Sequence, residues 1–384
     1  MGITLRHEGN EYSGWTSISV DAGLSEATRS FTATLAEVNL GGMGDAYWIA
    51  PGDAVDIYAD GILILSGYAN EYRPSFDASS HSVTVSGRGK SQDAVDCSAA
   101  HPTGRFENQS ISQIASELAG IVGITVSYDG EDTVISKFQV NQGEKIVNAI
   151  HRLAASHGLT LYGLADGNMA LTKGTDNDRL DGIIKEGQWP MLSGSAELKD
   201  TKRFSDYEYK SQLAGGEDRY GVKAALEVSK VTDAGVTRYR PFVGVVEVSA
   251  DAQRAGQRAA WQQRRIAGKN VKVDLECQGF KMNANQLWEP NKLIYVRSPT
   301  LKINHELLID SVTYSQDSGG SKTKLSLVPP KSAGSKAGKK GAVSTQAGGS
   351  QADGLDAFGG EGPTVVTQTP FDVGSQWTWP GGAQ

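Results

Sequence analysis

The chain has 384 residues, and its 37 lysines and arginines against 44 aspartates and glutamates leave a net charge of −7. This length predicts about two to four domains, and the acidic balance argues against a protein that holds nucleic acid by bulk charge. The 46 glycines indicate many turns rather than a helical bundle. No apolar run reaches about 18 residues and no secretory signal is evident, so we expect no membrane anchor.

Two cysteines, Cys97 and Cys277, are too few for a disulfide framework or a cysteine-rich metal site. We expect both to be reduced and buried, in a protein that is made and folded in a cytoplasm. The histidines are scattered, and His151 and His157 are spaced so that a helix does not place them on one face. We therefore predict no metal site.

Residues 1–98 are predicted to form a first β domain, because several short strands at this spacing suggest a barrel or a sandwich. Alternation of apolar and polar residues from Phe31 to Leu35 predicts a strand with one buried face. Asp60-Gly61 between Ala54–Ala59 and Ile62–Ser66 predicts a hairpin, because a type I′ turn needs positive φ at both central residues. A further strand is predicted from His81 to Ser86.

Residues 99–180 read as a small α+β module. Ser110 and Gln113 form a capping box in front of a run of apolar residues at helical spacing. A strand is predicted over Ile124–Tyr128 and a second helix from near Glu144 to Gly158. A hairpin then follows, from Leu159 to Thr172.

Strands return over 181–330, which we predict to be a second β-barrel-like domain with one helix from about Ser249 to Ala267. Strands are expected over Arg203–Lys210, from Val271 to Cys277, and in three later segments, Leu293–Val296, Leu307–Tyr314 and Lys324–Val328. Residues 331–384 are rich in Gly, Ala and Ser and poor in large apolar residues, so we predict a disordered, low-complexity C-terminal arm. No internal repeat is evident, although the two β regions are similar in texture. The predicted fold class is thus mainly β, with an α+β insertion.

Motifs for catalysis are not found. Gly87–Lys90 lacks the spacing of a phosphate-binding loop and fits a turn at a strand end. Asp176–Gly182 lacks the ligand positions of a calcium loop and fits an acidic loop between modules. Gly-x-Ser-x-Gly does not occur. We predict no catalytic residue, no cofactor and no metal, although a pair of carboxylates brought together in space would escape a search of the sequence.

Two surface features could contact partners. Arg254, Arg258, Trp261 and Arg265 fall on one stripe of the predicted helix, which can dock on an acidic protein face or stack on nucleic acid. A simpler interpretation is that the arginine stems cover the tryptophan. Trp377 and Trp379, near the end of the arm, are of a residue type enriched at interface hot spots.

Several segments, in this order, resemble a known family. They are Gly67-Tyr68, Pro74–Asp77, His81–Arg88, Asp93–Ser98, Thr237–Pro241, the helix with Trp261, Leu287–Asn291, Leu307–Tyr314 and Leu325–Pro330. They are similar to baseplate central hub proteins of Mu-like contractile-tailed phages, over about residues 1–330. The arm lies outside the resemblance.

The resemblance implies a homotrimer, with two tube-protein-like β-barrels per chain, that adapts the sixfold tail tube to the threefold central spike. The implied location is the virion tail baseplate, with assembly in the bacterial host cytoplasm. The implied partners are further copies of the chain, the tail tube protein and the central spike protein, and DNA would pass through the ring without specific binding. The family's signature residues are structural, so we interpret Asp60-Gly61, Pro74 and the Trp288–Asn291 segment as turn and corner formers. We expect the arm to dock on other baseplate components.

Three alternatives stay open at this point. The same hub could belong to a contractile bacteriocin or injection device. A protein of another class, a tail-associated cell-wall hydrolase, would need a pair of carboxylates in a cleft. A nucleic-acid-binding module would use the arginine stripe, and its binding would fall steeply with salt.

Overall fold

A computed structural model describes residues 2–36, 49–77, 81–130, 132–173, 178–199, 203–211, 227–234, 236–245, 259–260, 263, 271–283 and 286–330. The chain divides into two units. The first comprises 1–196 with 272–328, and the second comprises 197–271 with 329–384. No helix in the described ranges is long and apolar enough to cross a membrane.

The first unit is mostly β, as the sequence predicts. Up to the α+β module its elements are β1 (Ile3–His7), β2 (Asn10–Tyr12), β3 (Ser17–Gly23), β4 (Ser30–Ala36), β5 (Ala54–Ala59), β6 (Ile62–Phe76), β7 (His81–Gly89) and α1 (Gln92–Asp96). The module contains β8 (Arg105–Ser110), α2 (Ile111–Gly120), β9 (Val126–Asp129), β10 (Val134–Gln139), α3 (Ile146–Ser156), β11 (Thr160–Gly163) and β12 (Met169–Thr172). The later elements are β13 (Arg179–Lys185), β14 (Met191–Leu198), β18 (Val271–Gln278), β19 (Lys281–Asn283), β20 (Gln286–Leu287), β21 (Leu293–Ser298), β22 (Ile303–Asp317) and β23 (Gly320–Val328).

One large sheet joins the two β regions of this unit. Its strand order is β14-β18-β23-β22-β3-β4-β7-β6-β5-β1-β2, with β21 also paired to β22 and β13 paired to β21. One apolar core contains buried side chains of both regions, from Ile3 and Phe31 to Val273 and Leu327. The pairing of β22 with β3 is therefore the backbone link between the regions.

The two β regions repeat one strand order. Across the sheet, the first region runs β3-β4-β7-β6-β5-β1 and the second runs β14-β18-β23-β22-β21-β13. Strands at the same place in these two orders also come in the same sequence along the chain, so each strand of one region has a counterpart in the other. The three central strands also match in length, with 6, 15 and 9 residues in β5, β6 and β7 and again in β21, β22 and β23. The outermost pairs differ, because β1 is antiparallel to β5 whereas β13 is parallel to β21.

Local irregularities repeat as well. The long strand of each region carries a register shift near its middle, at Asn70 in β6 and at Asp310 in β22. Before the preceding strand, Gly52 and Asn291 both have positive φ, at 101° and 66°. The Gly52 amide donates to the Ala69 carbonyl at 2.7 Å, and the Asn291 amide donates to the Ile309 carbonyl at 2.9 Å. The two regions are thus two versions of one unit.

Residues at matching positions of the two regions differ, so the sequence does not reveal this repeat. Phe31 of β4 lies opposite Gly87 of β7, and a Cβ atom on Gly87 would lie 2.6 Å from Cε1 of the Phe31 ring. At the matching positions of the second region, Val273 lies opposite Leu327. The larger residue of the pair lies on β4 in the first region and on β23 in the second, so the pairing is kept while the residue identities are lost.

The α+β module has a core of its own. Ser110 caps α2 through the predicted capping box, with its side chain accepting from the Gln113 amide. The apolar faces of α2 and α3 pack with Phe106, Leu161 and Met169, all of which are buried. The strand after α2 starts at Val126, two residues later than predicted, and α3 starts at Ile146.

The second unit contains a small sheet. Its strands are β15 (Asp206–Ser211), β16 (Glu227–Thr232) and β17 (Pro241–Val245), with β15 in the centre. Tyr207 and Tyr209 are buried and pack near Phe204 and Phe242. Of the predicted helix over Ser249–Ala267, the structure describes residues 259, 260 and 263, which are helical.

Four details of the sequence interpretation are wrong. Cys97 is exposed, because it follows the last residue of α1 and its side chain faces solvent; Cys277 is buried, as predicted. Pro74 is not a corner but lies inside β6, opposite Val83. A proline is tolerated there because β5 ends opposite Tyr68, so the ladder of β6 with β5 does not reach it.

The other two details concern strand bounds in the later part of the chain. Asp181 and Gly182 belong to β13, rather than to a loop between modules. The strand predicted from Arg203 begins only at Asp206. Arg203 instead forms an ion pair with the buried Asp233, at 2.7 Å.

Candidate functional site

The site residues predicted from the sequence lie outside the described residues. These are the arginine stripe and the two tryptophans of the arm, namely Arg254, Arg258, Trp261, Arg265, Trp377 and Trp379. Their role as partner contacts stays a prediction. The described residues offer a different candidate site, formed where the two β regions and the α+β module meet inside the first unit.

Its first component is the strand seam, which we define as the antiparallel pairing of Ser311–Asp317 in β22 with Ser17–Gly23 in β3. The first half of β22 pairs with β21, and the register shift at Asp310 separates that half from the seam. The Leu24 amide donates to the Asp310 carbonyl at 2.7 Å, directly beside the shift. A β-bulge bends a strand and increases its twist, so this position allows one long strand to serve both regions.

Side chains reinforce the strand seam. The Thr313 hydroxyl donates to Oδ1 of Asp21 across the two strands at 2.6 Å. The amide of Ile3 donates to the side-chain carbonyl of Gln316 at 2.6 Å, which attaches β1 to the far end of β22. These bonds join residues far apart in the chain, so the seam holds the two regions in a fixed register.

The second component is the Arg29 node, which we define as Arg29 and the groups that its guanidinium contacts. Arg29 is only 2% exposed. It donates to Oε2 of Glu289 at 2.8 Å and to Oε1 at 3.4 Å, to the carbonyl of Ile64 at 2.8 Å and to the carbonyl of Gly163 at 3.3 Å. One side chain therefore ties together both β regions and the α+β module.

The charge of Glu289 compensates the burial of Arg29. Burial, the largest single effect, lowers the pKa of the guanidinium, but the Glu289 carboxylate together with Tyr314 and Tyr162 raises the pKa by more, so the net direction is upward. Tyr314, in the seam strand β22, is fully buried, and burial together with the Glu289 charge raises its pKa well above the usual value. Its hydroxyl stays protonated and donates to the carbonyl of Trp288.

This arrangement is suited to fixing chain segments rather than to reacting with a substrate. The Arg29 guanidinium donates hydrogen bonds to two backbone carbonyls and one carboxylate. The Tyr314 hydroxyl donates to a third carbonyl. A planar group with several donors is well matched to such a joint. The chemistry of the node is that of a rigid connection.

Sequence reasoning missed Arg29, since nothing near it in the chain shows that its partners come from Ile64, Gly163 and Glu289. The segment with Glu289 was found, as a predicted turn. The positive φ of Asn291 confirms a turn there, but Trp288 is a buried core residue and Glu289 is half of an ion pair.

Family models match most of the chain. Residues 2–89 match the N-terminal domain of the Mu phage baseplate assembly protein GpP-like family. Residues 91–173 match the second domain of baseplate hub protein gp44-like proteins, and residues 251–335 match the fourth domain of the Mu phage baseplate assembly protein GpP.

Whole-chain relatives agree with these models. Baseplate hub protein gp44 of Escherichia phage Mu is 30% identical over 337 residues, which are 85% of this chain and 87% of that protein. The crystal structure of the 43 kDa tail protein of prophage MuSo2 from Shewanella oneidensis is 27% identical, with a TM-score of 0.77 over 88% of this chain and 100% of the other. A tail protein from Neisseria meningitidis MC58 shares the fold, with a TM-score of 0.72, 17% identity, and coverage of 87% of this chain and 99% of the other.

The fold, with its doubled strand order, is that of a phage tail protein. More narrowly, the chain belongs to the family of baseplate hub proteins of Mu-like phages. The family resemblance predicted from the sequence motifs is confirmed, and so is the mainly β fold class with its α+β module.

Proposed function

We propose that three copies of this chain form a ring in the virion tail baseplate. The ring adapts the sixfold tail tube to the threefold central spike and surrounds the channel through which DNA passes. The observation that carries this proposal is the repeated strand order within one chain. Three chains, each with two like β regions, present six like β regions. Closed point-group symmetry provides such rings.

Barrel-like units are part of the proposal. In each β region the strands at the two ends of the order follow one another in the chain. Residues 13–16 connect β2 to β3, and residues 186–190 connect β13 to β14. Such short connections keep the end strands near each other, which favours sheets that curl toward closure. The proposal keeps the boundaries 1–98, 99–180, 181–330 and 331–384.

A mechanical role also agrees with the relatives, whose names describe baseplate and tail proteins. In the proposed role the Arg29 node and the strand seam keep the two β regions of one chain at a fixed spacing. A ring that must match a tube requires such rigidity, because a flexible joint between the β regions would make the spacing around the pseudo-sixfold surface uneven.

Sedimentation analysis tests the stoichiometry. The chain has a mass of 40.8 kDa. We expect sedimentation equilibrium at micromolar concentration to give the mass of three chains. A strict monomer, or a stable dimer, would contradict the proposed ring.

The 331–384 arm is assigned a separate role in this proposal: it docks on other baseplate components through Trp377 and Trp379. Aromatic residues at the end of a Gly- and Ala-rich segment supply large contact area at few positions. Deletion of 370–384 should abolish co-purification of a baseplate partner from phage-infected cells while the oligomer mass of the hub stays unchanged. Unchanged partner recovery would remove this role.

A further inference from the structure

The repeated strand order makes the strand seam informative about surfaces between chains. Within the chain, the half of β22 that follows the register shift pairs with β3, the first strand in the order of the other region. The counterpart of β22 is β6, and the counterpart of β3 is β14. The same pairing rule applied to the counterparts would join the second half of β6 to a β14 strand.

The matching residues can be read from the two registers. Asn70 and Asp310 occupy the same place, each as the additional residue between two consecutive pairs of the ladder. Glu71–Phe76 of β6 therefore corresponds to Ser311–Gln316 of the seam. In the described part of the chain, β7 is the strand that pairs with Glu71–Phe76, since the ladder of β5 ends at Tyr68.

Among the described strands, the second half of β6 and the whole of β14 have one neighbour each, and both carry exposed side chains. In β6, Arg73 and Glu71 have side chains 69% and 51% exposed, and Phe76 is 80% exposed. At the other edge, β14 ends the strand order of the large sheet, with β18 as its neighbour among the described strands. Leu192 in β14 is 51% exposed, and Trp189 just before this strand is 66% exposed. Exposed sheet edges that carry large apolar groups are sites at which another strand can add.

β6 and β14 of one chain belong to different regions, and the position next to β3 is already taken by β22 of the same chain. A ring of six β regions has six seams if the seam repeats. Each chain supplies one seam internally, so every second seam must lie between two chains. We propose that Glu71–Phe76 of β6 pairs antiparallel with β14 (Met191–Leu198) of a second copy of this chain. The ring then has three seams within chains and three between chains. This inference rests on the proposed trimer and specifies its interface.

One residue sets a limit on the number of backbone bonds. Hydrogen bonds alternate along an antiparallel ladder, and the bond from Leu24 to Asp310 places the amide of Tyr314 toward β3. Pro74 is the counterpart of Tyr314 and has no amide hydrogen. The seam between chains therefore contains one donor fewer than the seam within the chain, which suits an interface that must assemble from separate subunits.

Cysteine crosslinking tests the pairing. Arg73 corresponds to Thr313, whose partner across the seam within the chain is Asp21. Full-length protein would carry Cys97→Ser, because Cys97 is exposed, whereas burial raises the pKa of the Cys277 thiol to about 12 and keeps it unreactive. Arg73→Cys is combined in turn with Leu192→Cys, Ser193→Cys, Gly194→Cys and Ser195→Cys. The matched control combines Asp21→Cys with Thr313→Cys, which should crosslink within one chain.

We expect mild oxidation to shift the Arg73→Cys double variants from the one-chain band to two-chain and three-chain bands on a non-reducing gel. Crosslinking should alternate along β14, because successive side chains point to opposite faces. Sedimentation of each unoxidised variant separates the possible failures. A trimer without crosslinks between chains, when the control crosslinks, overturns the strand pairing alone and leaves this edge to another tail protein. A monomer overturns the pairing and the proposed ring together.

Discussion

The guanidinium of Arg29 shows how one buried charge can join three parts of a chain. A buried ion pair contributes little net stability by itself, since both charges lose their hydration. Loss of one partner is costly, however, because the other charge then remains buried without compensation. Arg29 is almost fully buried and Glu289 is 22% exposed. Loss of Glu289 therefore leaves the more deeply buried charge, that of Arg29, without compensation.

We predict that Glu289→Ala lowers the free energy of unfolding by about 3 kcal/mol, as expected when a buried charge loses its partner. Urea denaturation of the full chain, followed by tryptophan fluorescence, measures the change. The control is Glu11→Ala, which removes an ion pair with Arg6 whose two side chains are each 50% exposed. That variant should lose less than about 1 kcal/mol. Equal losses in the two variants would show that the Arg29 node does not stabilise the fold.

At the scale of elements, the two β regions solve one packing problem in two ways. Phe31 covers Gly87 in the first region, and Val273 lies opposite Leu327 in the second. A change at either position of a pair is felt by its partner, because protein interiors are packed as densely as organic crystals. The size of one residue in the pair therefore constrains the size of the other.

A double-mutant cycle tests this coupling. Gly87→Ala places a methyl group against the carbonyl oxygen of Tyr68 and 2.6 Å from the Phe31 ring, and should cost about 1–3 kcal/mol or more. Phe31→Val relieves the contact with the ring but not the contact with the carbonyl, so the double variant should stay destabilised yet fall short of the sum of the two single variants by about 0.5 kcal/mol or more. Gly67→Ala is the control, because its methyl group would meet the backbone of Arg88 and Gly89 rather than Phe31. Strict additivity for Gly87 and Phe31 would contradict the account.

Local elements were predictable from the sequence wherever one short segment contains the whole signal. Asp60 and Gly61 both adopt positive φ, 47° and 79°, as the predicted hairpin requires. Ser110 forms the predicted capping box. The Arg29 node was not predictable, because its partners come from distant segments. The repeat was not predictable either, because it survives in strand order and register while the residues at matching positions differ.

At the scale of the whole molecule, the central claim is that one chain supplies two like β regions and that three chains supply six. The strand order supports this count independently of the family resemblance, since it depends on pairings alone. The strand seam gives the spacing of two neighbouring units. If the same seam recurs between chains, all six units are equally spaced around the ring.

Electron microscopy of the isolated protein tests that claim most directly. Class averages viewed along the ring axis should show six lobes around a central opening, at near-equal spacing and with threefold variation in their outer density. The α+β module, inserted once per chain between the two β regions, would account for that variation. Averages with three lobes, or a compact particle without a central opening, would contradict the account.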